Sequence, residues 1–204
     1  MKVDFKERKS KVIRENGRSA DFTTPNFVMN CPMLCAYCYQ HRHNESIDLN
    51  VATNVDDLLQ NILKHRNKLG KKVPNQCDRD FFIYDIGCNT DISRVAKYFD
   101  WQKVFQFAVD NDVKFTFATK WFNQEFLSFN PMKKVRIRLS LLPERMIKVM
   151  DKGTHSLDKR LQAMQELDKA GYEIHVNFSP IIVYDNWLEE YKELFQKVKA
   201  LGLN

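Results

Sequence analysis

Apolar positions along the chain fall into two alternating rhythms. Five short runs rich in Val, Ile, Phe or Thr predict strands: NFVMN (26–30), FFIYDIG (81–87), VKFTFAT (113–119), VRIRLSL (135–141) and EIHVNFSP (173–180). Between them the spacing turns helical. DDLLQNILKHRNKLG (56–70) sets Leu58, Leu59, Ile62 and Leu63 on one face, with Gly70 as its C-cap. SRVAKYFDWQKVFQFAVDN (93–111) continues the pattern, with a break near Asp100. SLDKRLQAMQELDKAG (156–171) has Ser156 as N-cap, Leu157, Leu161, Met164 and Leu167 at helical spacing, and Gly171 as terminator. WLEEYKELFQKVKALG (187–202) is the last such segment. These Leu, Met and aromatic stripes read as core faces.

Strands alternating with helices of this length predict βαβ units and an α/β fold with a parallel sheet. Right-handed crossovers put all the helices on one side if the sheet curls toward a barrel. Sites in parallel sheets form at the carboxyl ends of strands. Polar and sulfur residues gather at those positions here: Cys31, Cys88, Lys120, Ser140, Ser179 and Pro180.

Composition narrows the setting. With 44% hydrophobic and 28% charged residues the chain reads as an ordinary globular protein. No apolar run reaches the roughly 20 residues that span a bilayer. The start, MKVDFKERKSKVIRENGR, lacks a secretory apolar run, and Asp4, Glu7 and Glu15 argue against a transit peptide. The expected location is cytoplasmic, without a membrane, where the five cysteines would be reduced and available to metal. A formal charge of +6 permits nucleic acid as a partner without requiring it.

Chemistry concentrates in NFVMNCPMLCAYCYQHRH (26–43), where Cys31, Cys35 and Cys38 form C-x3-C-x2-C. Thiolates favour zinc or an iron–sulfur cluster. A zinc site needs a fourth ligand, which His41 or His43 offers. Against zinc, so short a loop must wrap all its ligands around one ion. A four-iron cubane spreads three cysteines over separate irons and leaves one iron open for a ligand.

This motif, after a first strand, resembles the radical S-adenosylmethionine superfamily. Within it, CPMLCAYCY, with tyrosines on both sides of the last cysteine, is similar to the spore photoproduct lyase family. GCNTD (87–91), ATKW (118–121), RLSLLPE (138–144) and the stretch GTHSLDKRLQAMQELDKAGY … SPIIVYDNWLEEYKELF extend the likeness from about residue 26 to about 198. The resemblance implies a partial (β/α)6-type TIM barrel over residues 26–204, after a basic extension at 1–25. It implies a 4Fe-4S cluster on Cys31, Cys35 and Cys38, with S-adenosyl-L-methionine on the open iron. The implied reaction is reversal of the thymine spore photoproduct in ultraviolet-damaged DNA to two thymines, through a 5′-deoxyadenosyl radical.

Residue by residue, the resemblance makes Cys88 the hydrogen donor to substrate and gives Tyr37 and Tyr39 a radical relay; packing of the loop is their alternative. Lys120 would pair the methionyl carboxylate, Thr90 and Ser140 would supply hydroxyls, and Asp91 would accept from ribose or the amino group. Asn89 stands where the family has threonine, and Thr90 where it has serine. Cys77 reads as incidental, and His155 and His175 carry no assigned role. A one-electron reductant such as flavodoxin or ferredoxin is implied as partner. Five β/α units are present against the family's six, so a second chain is a candidate to complete the barrel. The same chemistry on another substrate, or a zinc-stabilised nucleic-acid-binding module, are the competing readings.

Overall fold

The computed structural model describes residues 1–40 and 46–203; the candidate ligands His41 and His43 lie outside the described residues. A mixed sheet of six strands forms the frame. Its order is β11 (Glu173–Asn177), β9 (Val135–Ser140), β8 (Lys114–Thr119), β7 (Ile83–Asp85), β3 (Phe22–Thr23) and β2 (Arg14–Glu15). From β3 to β11 every neighbouring pair is parallel, and β2 closes that edge antiparallel to β3. The sheet is open, with β2 and β11 as its edges.

The predicted first strand is displaced. Phe22–Thr23, not 26–30, is the first parallel strand of this six-stranded sheet, and Thr24 continues it by donating its N–H to the Asp85 carbonyl. Within NFVMN, β4 (Val28–Met29) pairs instead with β6 (Leu49–Ala52), which also takes β1 (Val3–Lys6). Residues 1–25, expected as an extension, therefore carry three paired strands. The strand propensity of 26–30 is real; its sheet membership follows from tertiary pairing, which propensity does not encode.

The helices follow the expected segments. They are α1 (Val55–Lys68), α2 (Ile92–Val95), α3 (Trp101–Asp110), α4 (Glu144–Met150), α5 (Leu157–Lys169) and α6 (Trp187–Ala200). The break expected near Asp100 is an N-cap: its carboxylate accepts from Lys103 N at 3.0 Å. Ser156 caps α5 in the same way. Gly171 ends α5 at φ +98°, and a Cβ there would lie 2.0 Å from Asn130 Oδ1, so the position admits no side chain. Gly70 does not cap α1: the cap is Leu69 in extended conformation. Helix α4 is an addition to the expected set.

Period-two alternation gives the sheet two unlike faces. Phe115, Phe117, Val135, Ile137 and Leu139 are fully buried in the core, packed with Trp101, Phe105, Phe126, Met164 and Leu167 from neighbouring segments. The alternate residues Lys114, Thr116, Arg136, Arg138, Ser140 and Asn177 are polar, and several satisfy one another or nearby carboxylates. Arg138 pairs with Asp85 at 2.6 Å and donates to Thr116 Oγ1 at 3.1 Å. At the strands' amino ends Arg136 pairs with Asp78 at 2.8 Å and Glu173 at 2.7 Å, and Lys114 joins both carboxylates. Buried charges persist only in such mutual company.

Burial alone would raise the Glu173 pKa, but hydrogen bonds from His175, Arg136 and Lys114 outweigh it and hold the carboxyl well below the usual range. A depressed carboxyl contributes stability in full above its unfolded pKa, about 4.3 for Glu, and loses it as pH falls through the folded value. Thermal melts stepped downward from about pH 5 should therefore show the wild type losing Tm more steeply than Glu173→Gln. Parallel acid profiles would show that the network contributes nothing to acid sensitivity.

Candidate active site

Above the carboxyl ends of the parallel strands lies a cavity of about 430 Å³, within the range of small-molecule sites. All ten sequence-predicted site residues line it: Cys31, Cys35, Cys38, Tyr37, Tyr39, Cys88, Thr90, Asp91, Lys120 and Ser140. Five segments converge there: the cysteine loop, the turn after β7, and the carboxyl ends of β8, β9 and β11.

Asn30, at φ +68°, turns the chain out of β4 and into the cysteine loop. Asn is among the few residues that tolerate this region. The loop is then pinned from below. Its strand β5 (Leu34–Cys35) pairs antiparallel with β10 (Asp151–Lys152), and Ala36 N donates to the Met150 carbonyl at 2.8 Å. Burial, and next the Asp91 charge, push the Cys31 thiol up to about 11. Burial likewise pushes Cys35 up to about 12. Both thiols are thus neutral until a cation draws off their protons, as coordination does. Among the described residues no three His, Cys, Asp or Glu groups are placed to hold one metal ion. The donor set is soft sulfur, which suits an iron–sulfur cluster with one cysteine on each iron.

The turn after β7 needs Gly87, because a Cβ there would meet Phe117 Cβ at 2.7 Å and Ile92 Cγ1 at 2.9 Å. It presents Cys88, which is exposed to the cavity. The Tyr39 hydroxyl lies 3.9 Å from Cys88 Sγ, 3.0 Å from its carbonyl and 2.7 Å from Asn89 Oδ1. Gln40 Nε2 donates to that same Asn89 oxygen at 2.8 Å. Asn89, whose role the sequence leaves open, thus orients Tyr39 toward the thiol.

Tyr37 stands apart from Tyr39. Its hydroxyl donates to Asp151 Oδ1, and Lys120 Nζ sits 5.1 Å from its ring centroid. Burial, and then the Asp151 charge, raise its pKa far above the ordinary phenol. Asp151 pairs in turn with Arg160 at 2.9 Å, both side chains having no exposure. The Arg160 guanidinium also donates to Ser140 O at 2.7 Å, His155 O at 2.9 Å and Thr154 Oγ1 at 2.6 Å. Its register on α5 is visible in the sequence, but a charged residue on a core face gives no sign there of what it will meet.

Asp91 lines the cavity and is also bonded into the frame. It accepts from Arg94 N at 3.1 Å as the cap of α2, from Thr119 Oγ1 at 2.7 Å and from Lys120 N at 2.8 Å. Three of roughly four lone-pair sites are committed to the frame, so Asp91 clamps α2 to the end of β8. That clamp delivers Lys120, whose ammonium makes no ion pair among the described residues. Thr90 Oγ1 is buried without a hydrogen-bond partner among them, and Ser140 Oγ accepts from Asn177 Nδ2 at 3.3 Å. A cation without a carboxylate and a partnerless hydroxyl in one cavity fit a ligand bearing a carboxylate and further polar groups, as S-adenosylmethionine does. Cys77 lies elsewhere, 4% exposed, with Sγ 3.7 Å from the Arg18 carbonyl. His155 accepts from Phe122 N at 2.8 Å and stacks on Trp121, while His175 is exposed.

The sheet and its cavity define an α/β protein with a cavity at the carboxyl ends of its parallel strands, lined in part by a loop of three cysteines. The profile of the family described as spore photoproduct lyase matches residues 6–202, and the chain belongs to that family. It is 28% identical over 186 residues to the spore photoproduct lyase of Bacillus subtilis (strain 168), aligning 89% of this chain and 52% of the relative. Against that of Clostridium acetobutylicum it is 28% identical over 185 residues, covering 88% and 52%. The chain spans about half the length of the curated relatives it matches. A structure of spore photoproduct lyase complexed with dinucleoside spore photoproduct aligns at TM-score 0.86 and 25% identity, over 98% of this chain and 57% of that one. A variant with bound AdoMet and dinucleoside spore photoproduct aligns at TM-score 0.85 and 24% identity, over the same shares, a likeness of fold. No helix among the described residues is long and apolar enough to cross a membrane.

Arg160 and Asp151 are fully buried as a pair, so that losing either leaves the other uncompensated. Arg160→Met should lower the urea-unfolding free energy by about 3–5 kcal/mol, because it strands a buried carboxylate. An unchanged midpoint would mean that the pair does not hold the loop.

Proposed function

We propose that this chain is the catalytic half of a radical S-adenosylmethionine lyase that reverts the thymine spore photoproduct in ultraviolet-damaged DNA to two thymines. The observation that carries this reading is the approach of Tyr39 to Cys88, a phenol and a thiol 3.9 Å apart in the cavity beside the cysteine loop. In this reading the open sheet is a partial (β/α)6-type barrel. Five sequential parallel strands with an apolar face covered by helices support that.

Cys31, Cys35 and Cys38 would hold a 4Fe-4S cluster, and Lys120, Thr90 and Ser140 would receive S-adenosylmethionine. When bound, cluster and cofactor supply a 5′-deoxyadenosyl radical that takes hydrogen from substrate. The protein's own chemistry begins after that. Cys88 offers a weak S–H bond at the cavity wall and gives its hydrogen atom to the thymine radical. Tyr39, positioned by Asn89 and Gln40, then restores the thiol by giving up its phenolic hydrogen. Tyr37 orders the loop through Asp151; with its hydroxyl turned from that carboxylate it would pass its hydrogen to the Tyr39 radical and recover one from deoxyadenosine, so that no radical stays on the protein. Lys120, held by the Asp91 clamp, orients the cofactor's carboxylate. A one-electron reductant such as flavodoxin or ferredoxin is the implied partner.

The test uses synthetic dinucleotide spore photoproduct with anaerobically reconstituted protein. Wild type should release thymine product and deoxyadenosine. Cys88→Ala should still make deoxyadenosine while losing thymine recovery, and Cys38→Ala should lose both. Equal thymine yield from Cys88→Ala would falsify the donor role. The second reading is the same radical chemistry on another substrate. Deoxyadenosine without thymine recovery from wild type would select it.

A further inference from the structure

A second cavity of about 420 Å³ lies between the chain following β1 and strands β4 and β6. Lys6, Arg8, Lys9, Asn26 and Met29 form its wall, with Glu7 as the one acidic side chain among the described residues. Two of the five buried polar atoms that lack a partner among the described residues belong to this wall: Arg8 Nε and Asn26 Oδ1.

We infer that this cavity is a phosphate-binding subsite that receives the backbone of a nucleic-acid strand. The inference takes its ligand class from the proposed function but rests on different residues. Arg8 is built into place: its N–H donates to Asn54 Oδ1 at 2.8 Å, and its carbonyl accepts from Asn54 Nδ2 at 3.2 Å. Yet among the described residues its guanidinium makes no ion pair, and its Nε is a buried donor without an acceptor. A buried, positively charged donor on a backbone held by Asn54 calls for an anionic acceptor, and guanidinium matches phosphate geometry. The exposed Lys6 and Lys9 add charge at the mouth, and Glu7 cancels only part of it.

Asn26 refines the class. It is 5% exposed, and its Nδ2 donates to the Met29 thioether at 3.5 Å, while Oδ1 has no partner among the described residues. An acceptor beside three cations fits a ligand that carries a donor next to its phosphate. A nucleotide in a strand does so through its base edge, whereas its phosphodiester group alone carries no donor. The cavity also adjoins the proposed site. Asn26 Nδ2 and Asn89 Nδ2 both point at Met29 Sδ, at 3.5 Å and 3.9 Å, and Asn89 follows Cys88 in the chain. A strand anchored here would therefore be held in fixed relation to the thiol.

The test is fluorescence anisotropy of a labelled, undamaged single-stranded oligothymidylate titrated with full-length protein across a range of salt. Removing one cation that neutralises a phosphate should reduce the slope of log K against log salt by about 0.7. Lys6→Ala, Lys9→Ala and Arg8→Gln should each flatten the slope, while Lys199→Ala on α6 should leave it unchanged. The two lysines are exposed, so their variants fold whatever becomes of Arg8→Gln. Slopes equal to wild type in all three variants would overturn the assignment. Inorganic phosphate and thymidine monophosphate are tested in parallel by thermal shift. If they stabilise wild type but not Arg8→Gln while oligonucleotide slopes stay equal, the site takes free phosphate, and the nucleic-acid assignment is wrong. Because the probe carries no lesion, failure of the repair reaction leaves this outcome readable.

Discussion

A guanidinium with no solvent exposure, Arg160, joins the parts of the site. It reaches from α5 to the carbonyl of Ser140 at the end of β9, and to Asp151, whose other oxygen takes the Tyr37 hydroxyl. Through β10 the same aspartate segment pairs with Leu34–Cys35 of the cysteine loop. Strand end, helix and loop thus share one buried cation. Such a pair costs heavily if broken, since either partner alone is a charge in a low-dielectric interior. The loop above it can be short and irregular because its anchor is not.

The sheet solves a second problem with its alternation. One face carries aromatic and aliphatic side chains into the helical layer, while the other is lined with charges that neutralise one another in tiers. Arg136, Lys114, Asp78 and Glu173 occupy the amino ends, and Arg138 pairs with Asp85 higher up. Above these tiers, among groups that do find partners, two cavity groups lack one of the kind they call for among the described residues. Thr90 Oγ1 has none, and Lys120 faces a tyrosine ring rather than a carboxylate. The transition from satisfied to unsatisfied groups marks where the frame ends and the ligand site begins.

Much of this is legible in the residues. The helical stripe of α5, its Ser156 cap and the Asp100 break are local, and local chemistry decides them. Cys31, Cys35, Cys38, Cys88, Lys120 and Ser140 stand out because strand ends and a cysteine spacing are both readable along the chain, whereas Tyr37, Tyr39, Thr90 and Asp91 are implied by the family resemblance. Other features depend on partners distant in sequence. Phe22–Thr23 has too few residues to announce a strand, and it displaces 26–30 because it pairs with β7. Asp91 reads as a ligand group, and its further part as a clamp is hidden in the sequence because its donors come from three separate positions. Asn89 gains a role only when Gln40 and Tyr39 arrive beside it. The period-two alternation of charged residues in β8 and β9 is a signal for the polar face.

The central claim is that the cysteine loop and the strand-end groups form one cofactor site. Electron paramagnetic resonance of the anaerobically reconstituted, reduced protein tests it most directly. The account predicts a 4Fe-4S signal whose g-values shift on addition of S-adenosylmethionine, with the shift weakened in Lys120→Ala while the cluster signal remains. A colourless, zinc-containing protein, or a cluster signal indifferent to S-adenosylmethionine, would contradict it.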